Sequence, residues 1–138
     1  MNSLFKETPS QTVMWGAGTQ GRVNRPILEQ AGCRVVALID DTPGLESPFE
    51  GVPILEGWDS FLPWFHDRET DSLGFVIAIG NPYGDLRRRL HRRLSDHGLI
   101  PVSFSHPSAV ISESAAIGDG IQIMPQAVVH VDARIGEQ

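Results

Sequence analysis

Residues Gly16-Ala17-Gly18-Thr19-Gln20-Gly21 fit the pattern G-x-G-x-x-G. Glycines at this spacing let a chain turn tightly and bring backbone N–H groups against a phosphate at the positive end of a helix. About 20 residues further on, Asp40 and Asp41 end the apolar run CRVVALID, where a carboxylate can accept hydrogen bonds from ribose hydroxyls. Gly80 and Asn81 end a second apolar run, and Arg87 follows at the start of an arginine-rich stretch, from which it could reach an anionic ligand. By the motif alone the default ligand is a dinucleotide such as NAD; glycines serving only a tight turn are the plain alternative.

The other reactive side chains carry less. His66, His91 and His97 lack the spacing of a metal site and are expected at the surface. His106, in SHPSA, is expected to organise a corner between domains, and His130 to point outward because it follows the inward-pointing Val129. Cys33 is the single cysteine, which excludes an intramolecular disulfide and a cysteine-based zinc cluster.

Several elements must position these groups. QTVMW reads as a short strand entering the glycine turn, Arg22 to Ala31 as a helix beginning shortly before Pro26, and CRVVALID as a second strand. A Pro- and Gly-rich loop follows, with a short strand at most around Val52 to Leu55, and then a short helix in WDSFLPWFHDRE. Phe75 to Ile79 is apolar without alternation, as suits a central parallel strand covered on both faces. From about Tyr83 to His97 a helix puts Leu86, Leu90 and Leu94 on one face and its arginines on the others, for which a solvated face is the plain reading, a basic rim beside an anionic ligand the second and a nucleic-acid patch a distant third. LIPVSFS supplies a last strand, and residues 1 to about 10 read as a frayed leader. This order predicts a small open parallel sheet with helices on its faces.

Beyond His106 the pattern changes. Ile111, Ile117, Ile123, Val129 and Ile135 recur every six residues, each with a small or aliphatic residue two places before it. A period of six marks hexapeptide β-helix repeats, three to a triangular turn. The fold expected is therefore α/β, with a small Rossmann-like sheet over residues 1–105 followed by the first one to two coils of a left-handed β-helix over 106–138. The repeats run to Gln138, so the chain reads as the front part of a longer protein or a product truncated from one.

An apolar fraction of 41% and a charged fraction of 20% describe a globular domain, and the net charge of −6 disfavours nucleic acid as a partner. No run approaches the length needed to span a bilayer and no secretory leader is visible, which makes the cytoplasm the default location.

GAGTQG, ALIDD, FVIAIGN, the arginine-rich helix, SHPSA and the hexapeptides occur in an order that resembles the nucleotide-sugar acetyltransferases of the sialic acid O-acetyltransferase and bacterial amino-sugar N-acetyltransferase type. The resemblance covers residues from about 12 to the end. It implies an N-terminal domain that binds a UDP-linked sugar without NAD, and a C-terminal coil that trimerises and holds acetyl-CoA. Gly16, Gly18, Thr19 and Gln20 would line the diphosphate loop, Asp40 and Asp41 the nucleoside end, and Gly80 and Asn81 a further edge. The family commonly has His where this chain has Gln20, and its catalytic histidine, thought to act as general base, lies farther along than ARIGEQ. The resemblance therefore implies sugar-nucleotide binding without acetyl transfer by these residues alone. An NAD-dependent oxidoreductase fits the glycine motif too, though no hydride-transfer site is visible; a non-catalytic binding or regulatory module is a third reading.

Overall fold

A computed structural model describes residues 5–68 and 72–138. The first four positions of the expected leader, and Glu69 at the end of the expected middle helix, lie outside the described residues. The first region comprises strand β1 (Gln11–Trp15), helix α1 (Thr19–Gln30), β2 (Arg34–Asp40), β3 (Ile54–Glu56), α2 (Gly57–His66), β4 (Gly74–Ile77), α3 (Gly84–Asp96) and β5 (Ile100–Pro101). Its five strands form one parallel sheet in the order β3-β2-β1-β4-β5.

The sheet is the Rossmann-like α/β unit expected, and its apolar runs are continuous because both faces are covered. Successive side chains of β1 go to opposite sides: Met14 joins Leu28, Leu38 and Val76 in one core cluster, while Val13 and Trp15 join Ile39, Phe61, Phe75, Leu90 and Leu94 in the other. Burying each such side chain contributes about 1.5–3 kcal/mol. The chain runs outward from β1 to β2 and β3, then returns to the other side of β1 as β4. At that reversal the glycine turn after β1 and the Gly80-Asn81 tip after β4 become neighbours. Parallel sheets bind ligands at such a switch point.

Three expectations are corrected. Helix α1 begins at Thr19, seven residues before Pro26 rather than just ahead of it. Pro26 and Arg22 both lie on the exposed face, so water can satisfy the Arg22 carbonyl that the missing proline N–H leaves unpaired. LIPVSFS is not one strand: Ile100–Pro101 stays with the sheet, and β6 (Phe104–Ser105) pairs in parallel with β9 (Gln122–Ile123). Nor is the described part of the leader frayed, since Phe5 packs into the core cluster of the coil and Lys6 Nζ lies 2.8 Å from Asp119 Oδ2.

With β7 (Val110–Ile111), β8 (Ala116–Ile117), β10 (Val128–Val129) and β11 (Arg134–Ile135), the coil has three two-stranded parallel sheets: β6 with β9, β7 with β10 and β8 with β11. They are the faces of about two turns of a nascent left-handed β-helix. All five period-six residues lie in one cluster with Ala109, Ala115, Ile121, Ala127 and Ala133, the residues two places before them. At the corners the backbone turns left-handed at Gly120 (φ +76°), Gln126 (+61°) and Asp132 (+59°). The Gln126 and Asp132 N–H groups donate to Ser108 Oγ (2.9 Å) and Ser114 Oγ (3.0 Å), each one turn of 18 residues earlier. These bonds satisfy corner amides that would otherwise be unpaired.

Candidate functional site

Gly16 is fixed by its surroundings. Its φ is +109°, a Cβ there would lie 2.5 Å from the Ala78 carbonyl oxygen, and its N–H donates to Ile39 O at 2.7 Å. The tips of β1, β2 and β4 thus close on one another at a place where a side chain has no room.

Asp40 holds the same turn from the other side. Its Oδ2 accepts the Ala17 N–H at 3.0 Å and its Oδ1 the Thr42 N–H at 2.9 Å. Burial works to raise its pKa, but the hydrogen bonds from Thr42 and Ala17 outweigh that and hold the carboxyl below its ordinary value of 3.8. With the Thr42 hydroxyl also bonding it, about one of its roughly four acceptor sites remains for a ligand. Asp41 Oδ1 sits 2.9 Å from where a Gly57 Cβ would stand, at the start of α2.

Two of the cavities along this edge of the sheet hold residues singled out in the sequence on either side of Ile79. One, of about 410 Å³, is lined by Gly16, Asp40 and Asp41 together with Trp15, Trp58, Arg89 and Arg93. The Arg93 guanidinium stacks over Trp58 at 3.8 Å, and the rings of Trp15 and Trp58 are 4.7 Å apart. The other, of about 540 Å³, has a polar wall of Gln20, Gly80, Asn81, Arg87 and Gln122, and a floor of coil residues including Ile123 and Val129. Ile79 lines both, so the cavities adjoin. Gly18 and Thr19 line neither and are exposed at the start of α1, which has no acidic residue in its first turn and no side-chain cap. Its first N–H groups are thereby left for an anion.

Among the residues singled out in the sequence, then, Gly16, Asp40 and Asp41 come together in one cavity, and Gln20, Gly80, Asn81 and Arg87 in the other. Arg87 is already engaged: it donates from Nη1 to the carbonyls of Ile79 (3.0 Å) and Gly80 (3.2 Å) and from Nη2 to Asn81 Oδ1 (3.5 Å). It braces the strand tip, whose Asn81–Pro82 peptide is cis.

The sequence offers a basic rim beside an anionic ligand only as the second reading of this helix and does not single out Arg89 and Arg93, whose i, i+4 spacing on α3 was the available sign. Sequence reasoning also missed a polar seam between α1, the coil and the sheet. Gln20 Nε2 donates to Asn24 Oδ1 (3.1 Å), Asn24 Nδ2 to Gln122 Oε1 (2.8 Å), and Gln122 Nε2 to the Ile77 carbonyl (2.7 Å).

The histidines divide. His66, His97 and His130 are exposed. His106 shapes its own turn, where Nδ1 takes the Ser108 N–H at 3.0 Å. His91, expected at the surface, is buried instead. It stands one residue after Leu90 on the apolar face of α3, edge-on to Phe75 at 5.4 Å, with Nδ1 3.0 Å from Gln138 Nε2. The coil that covers it could not be foreseen from the helix pattern. Burial lowers its pKa, against raising by Glu137 and Asp119, with Arg92 lowering it further. Cys33 is fully buried, and burial pushes its thiol up to about 11, which makes it unreactive.

A family model for the PglD N-terminal domain matches residues 11–94, which include the glycine turn, both aspartates and the Gly80-Asn81 tip. The chain belongs to this family. Within and beyond the PglD N-terminal domain it is 27% identical over 128 residues to a GDP-perosamine N-acetyltransferase of Escherichia coli O157:H7, covering 89% of this chain and 55% of the relative. It is 34% identical over 113 residues to a UDP-N-acetylbacillosamine N-acetyltransferase of Bacillus subtilis strain 168, covering 79% and 49%. The crystal structure of PerB from Caulobacter crescentus, solved with CoA and GDP-perosamine, superposes with a TM-score of 0.74 at 33% identity, over 92% of this chain and 57% of that one. The chain thus spans about half the length of the curated relatives it matches. No helix among the described residues is long and apolar enough to cross a membrane.

Proposed function

We propose that this chain is the nucleotide-sugar-binding portion of an acetyl-CoA-dependent sugar acetyltransferase of glycan biosynthesis, acting in the cytoplasm. Residues 1–105 would bind the nucleotide and residues 106–138 open the coil. The observation that carries the reading is the pair of cavities meeting at Ile79 on the switch-point edge of the sheet. A nucleotide sugar is two-headed, and the two volumes fall in the range of small-molecule sites. The nucleoside lies with Asp40, Asp41 and the tryptophans, the diphosphate near Gly16, Gly18 and Thr19 at the start of α1, and the sugar by Asn81 and Gln20. Arg89 and Arg93 balance the phosphate charge.

The matched relatives act on GDP- and UDP-linked sugars. UDP is the nucleotide proposed here, with N-acetylation of an amino sugar as the reaction. In that reaction acetyl-CoA supplies an activated thioester. A homotrimer fits the exposed Val110, Val128 and Val131 on the outside of the coil.

Calorimetric titration of the chain with UDP, GDP and NADH tests the reading. Heat from a nucleoside diphosphate, lost in Asp40→Ala, with none from NADH, is the expected result. Binding of NADH alone, or of none of the three, overturns it; the first outcome moves the oxidoreductase reading to the front.

A further inference from the structure

The polar seam has a direction, and that direction reaches the larger cavity. A carbonyl oxygen only accepts, so the Ile77 carbonyl obliges Gln122 to turn its Nε2 toward it and its Oε1 toward Asn24. Asn24, fully buried, must answer with Nδ2 and so turns Oδ1 toward Gln20. Gln20 answers in turn with Nε2, which also lies 3.9 Å from Met124 Sδ. Reversing any one amide would set two acceptors against each other or reverse the whole chain, ending with Gln122 Oε1 against Ile77 O. A buried clash of that kind leaves both oxygens unsatisfied, which locks the order as it stands. The strand tip thus fixes which end of Gln20 is free.

The free end is Oε1. It has no hydrogen-bond partner among the described residues and is not among the buried atoms lacking one, while Gln20 itself lines the cavity. Beside it the Arg87 guanidinium is turned to the Ile79 and Gly80 carbonyls and to Asn81 Oδ1.

We infer that Gln20 Oε1 is a locked acceptor that receives an N–H from the unacylated amine of the bound sugar. This deepens the nucleotide-sugar reading above and rests on it. A phosphate oxygen at the same place would meet lone pair against lone pair, so Gln20 serves the sugar and leaves the diphosphate to Gly16, Gly18 and Thr19. An amide oxygen takes no proton at neutral pH. Gln20 is therefore a positioning residue, which holds one N–H of the amine and leaves the nitrogen lone pair directed elsewhere.

The test crosses a change in the protein with a change in the ligand. Wild type and Gln20→Met are titrated with GDP, with GDP-perosamine and with its counterpart carrying hydrogen in place of the amine; UDP and a matched UDP-linked pair are run alongside. Wild type should prefer the amine-bearing sugar by about ten-fold, as expected for one hydrogen bond. Gln20→Met should bind the two within about two-fold and bind the bare diphosphate as wild type does. Gln20→Glu, which keeps an acceptor, should retain the preference but melt lower, because its carboxylate faces Asn24 Oδ1. The same amine preference in wild type and Gln20→Met, with both folded by thermal melting, overturns the inference while leaving the nucleotide-sugar reading intact. Absence of binding by either diphosphate removes that reading and the inference with it.

Discussion

Val76 and Val128 are both valines on short parallel strands, yet the first is 1% exposed and the second 68%. Val76 lies in β4, where helices cover both faces of the sheet; Val128 lies in β10, where the coil covers only its own inside. Backbone geometry follows the same division. The sheet fixes its turn through close contacts from several sides, such as Gly16 between Ile39 and Ala78. In the coil, each turn is held by its neighbour 18 residues away, through one strand ladder per face and a serine at the corner. A region enclosed on all sides resists any added atom, whereas a stack can yield along its axis.

Two glycine-to-alanine substitutions put that difference under the heaviest load. At Gly16 an alanine meets a positive φ and the Ala78 carbonyl together. Gly16→Ala should cost about 4 kcal/mol in urea unfolding and abolish diphosphate binding in any folded fraction. Gly118→Ala also meets backbone, with Gly136 C at 2.7 Å, but without a positive φ and against a single neighbouring turn. Its expected cost is about 1–2 kcal/mol. Equal costs at the two sites would mean that the coil is as rigid as the sheet, and the contrast would fail.

The seam between the regions comes next in size. Asn24→Leu leaves the half-buried Gln122 Oε1 without its donor and Gln20 Nε2 without its acceptor and should cost about 2–3 kcal/mol, and Gln122→Met, which strips the buried Asn24 of its acceptor, about 1–2 kcal/mol. Because the two act on one chain of hydrogen bonds, the double variant should fall short of the sum by about 1 kcal/mol. Strict additivity would show that the sheet and coil are joined by apolar packing rather than by the amides.

What could be read in the sequence divides along the same line. Continuous apolar runs, a glycine motif and a period of six are local patterns, and each produced the element expected of it: the buried β1 and β4, the turn at Gly16, and the inward-pointing Ile123 and Val129. What escaped notice depends on contacts between distant segments. Asn24 looks like an ordinary polar residue in a helix until Gln122, 98 positions later, arrives beside it. Phe5 joins the coil cluster across a comparable separation. Ser108 and Ser114 did carry a local sign, being six apart in step with the isoleucines, but a single sequence attaches no chemistry to that spacing until the corners are seen. Asp40 was read for ribose alone, although its first duty is to hold Ala17 and Thr42, a demand set by the turn it faces.

His91 gives the smallest effect and the sharpest probe of where α3 meets the coil. Burial disfavours its charged form, so its folded pKa lies below the ordinary value of 6.5 even though Glu137 and Asp119 oppose the shift. As pH falls, the unfolded chain takes up a proton at this histidine before the folded chain does. The stability it contributes is therefore complete above 6.5 and is lost as the pH falls through that value toward the lower folded pKa. Asp40 shifts in the same sense but in a separate window: its contribution is present above 3.8 and is lost only as the pH falls below that, through its depressed folded pKa. His91→Gln removes the first loss and keeps a polar partner for Gln138. Urea unfolding across the range should then show a variant whose stability hardly changes between about pH 7 and about pH 5, where wild type declines, with both falling alike once Asp40 titrates. If wild type and His91→Gln decline in parallel throughout, the acid sensitivity belongs to the sheet alone and His91 is not the group that carries it at the coil.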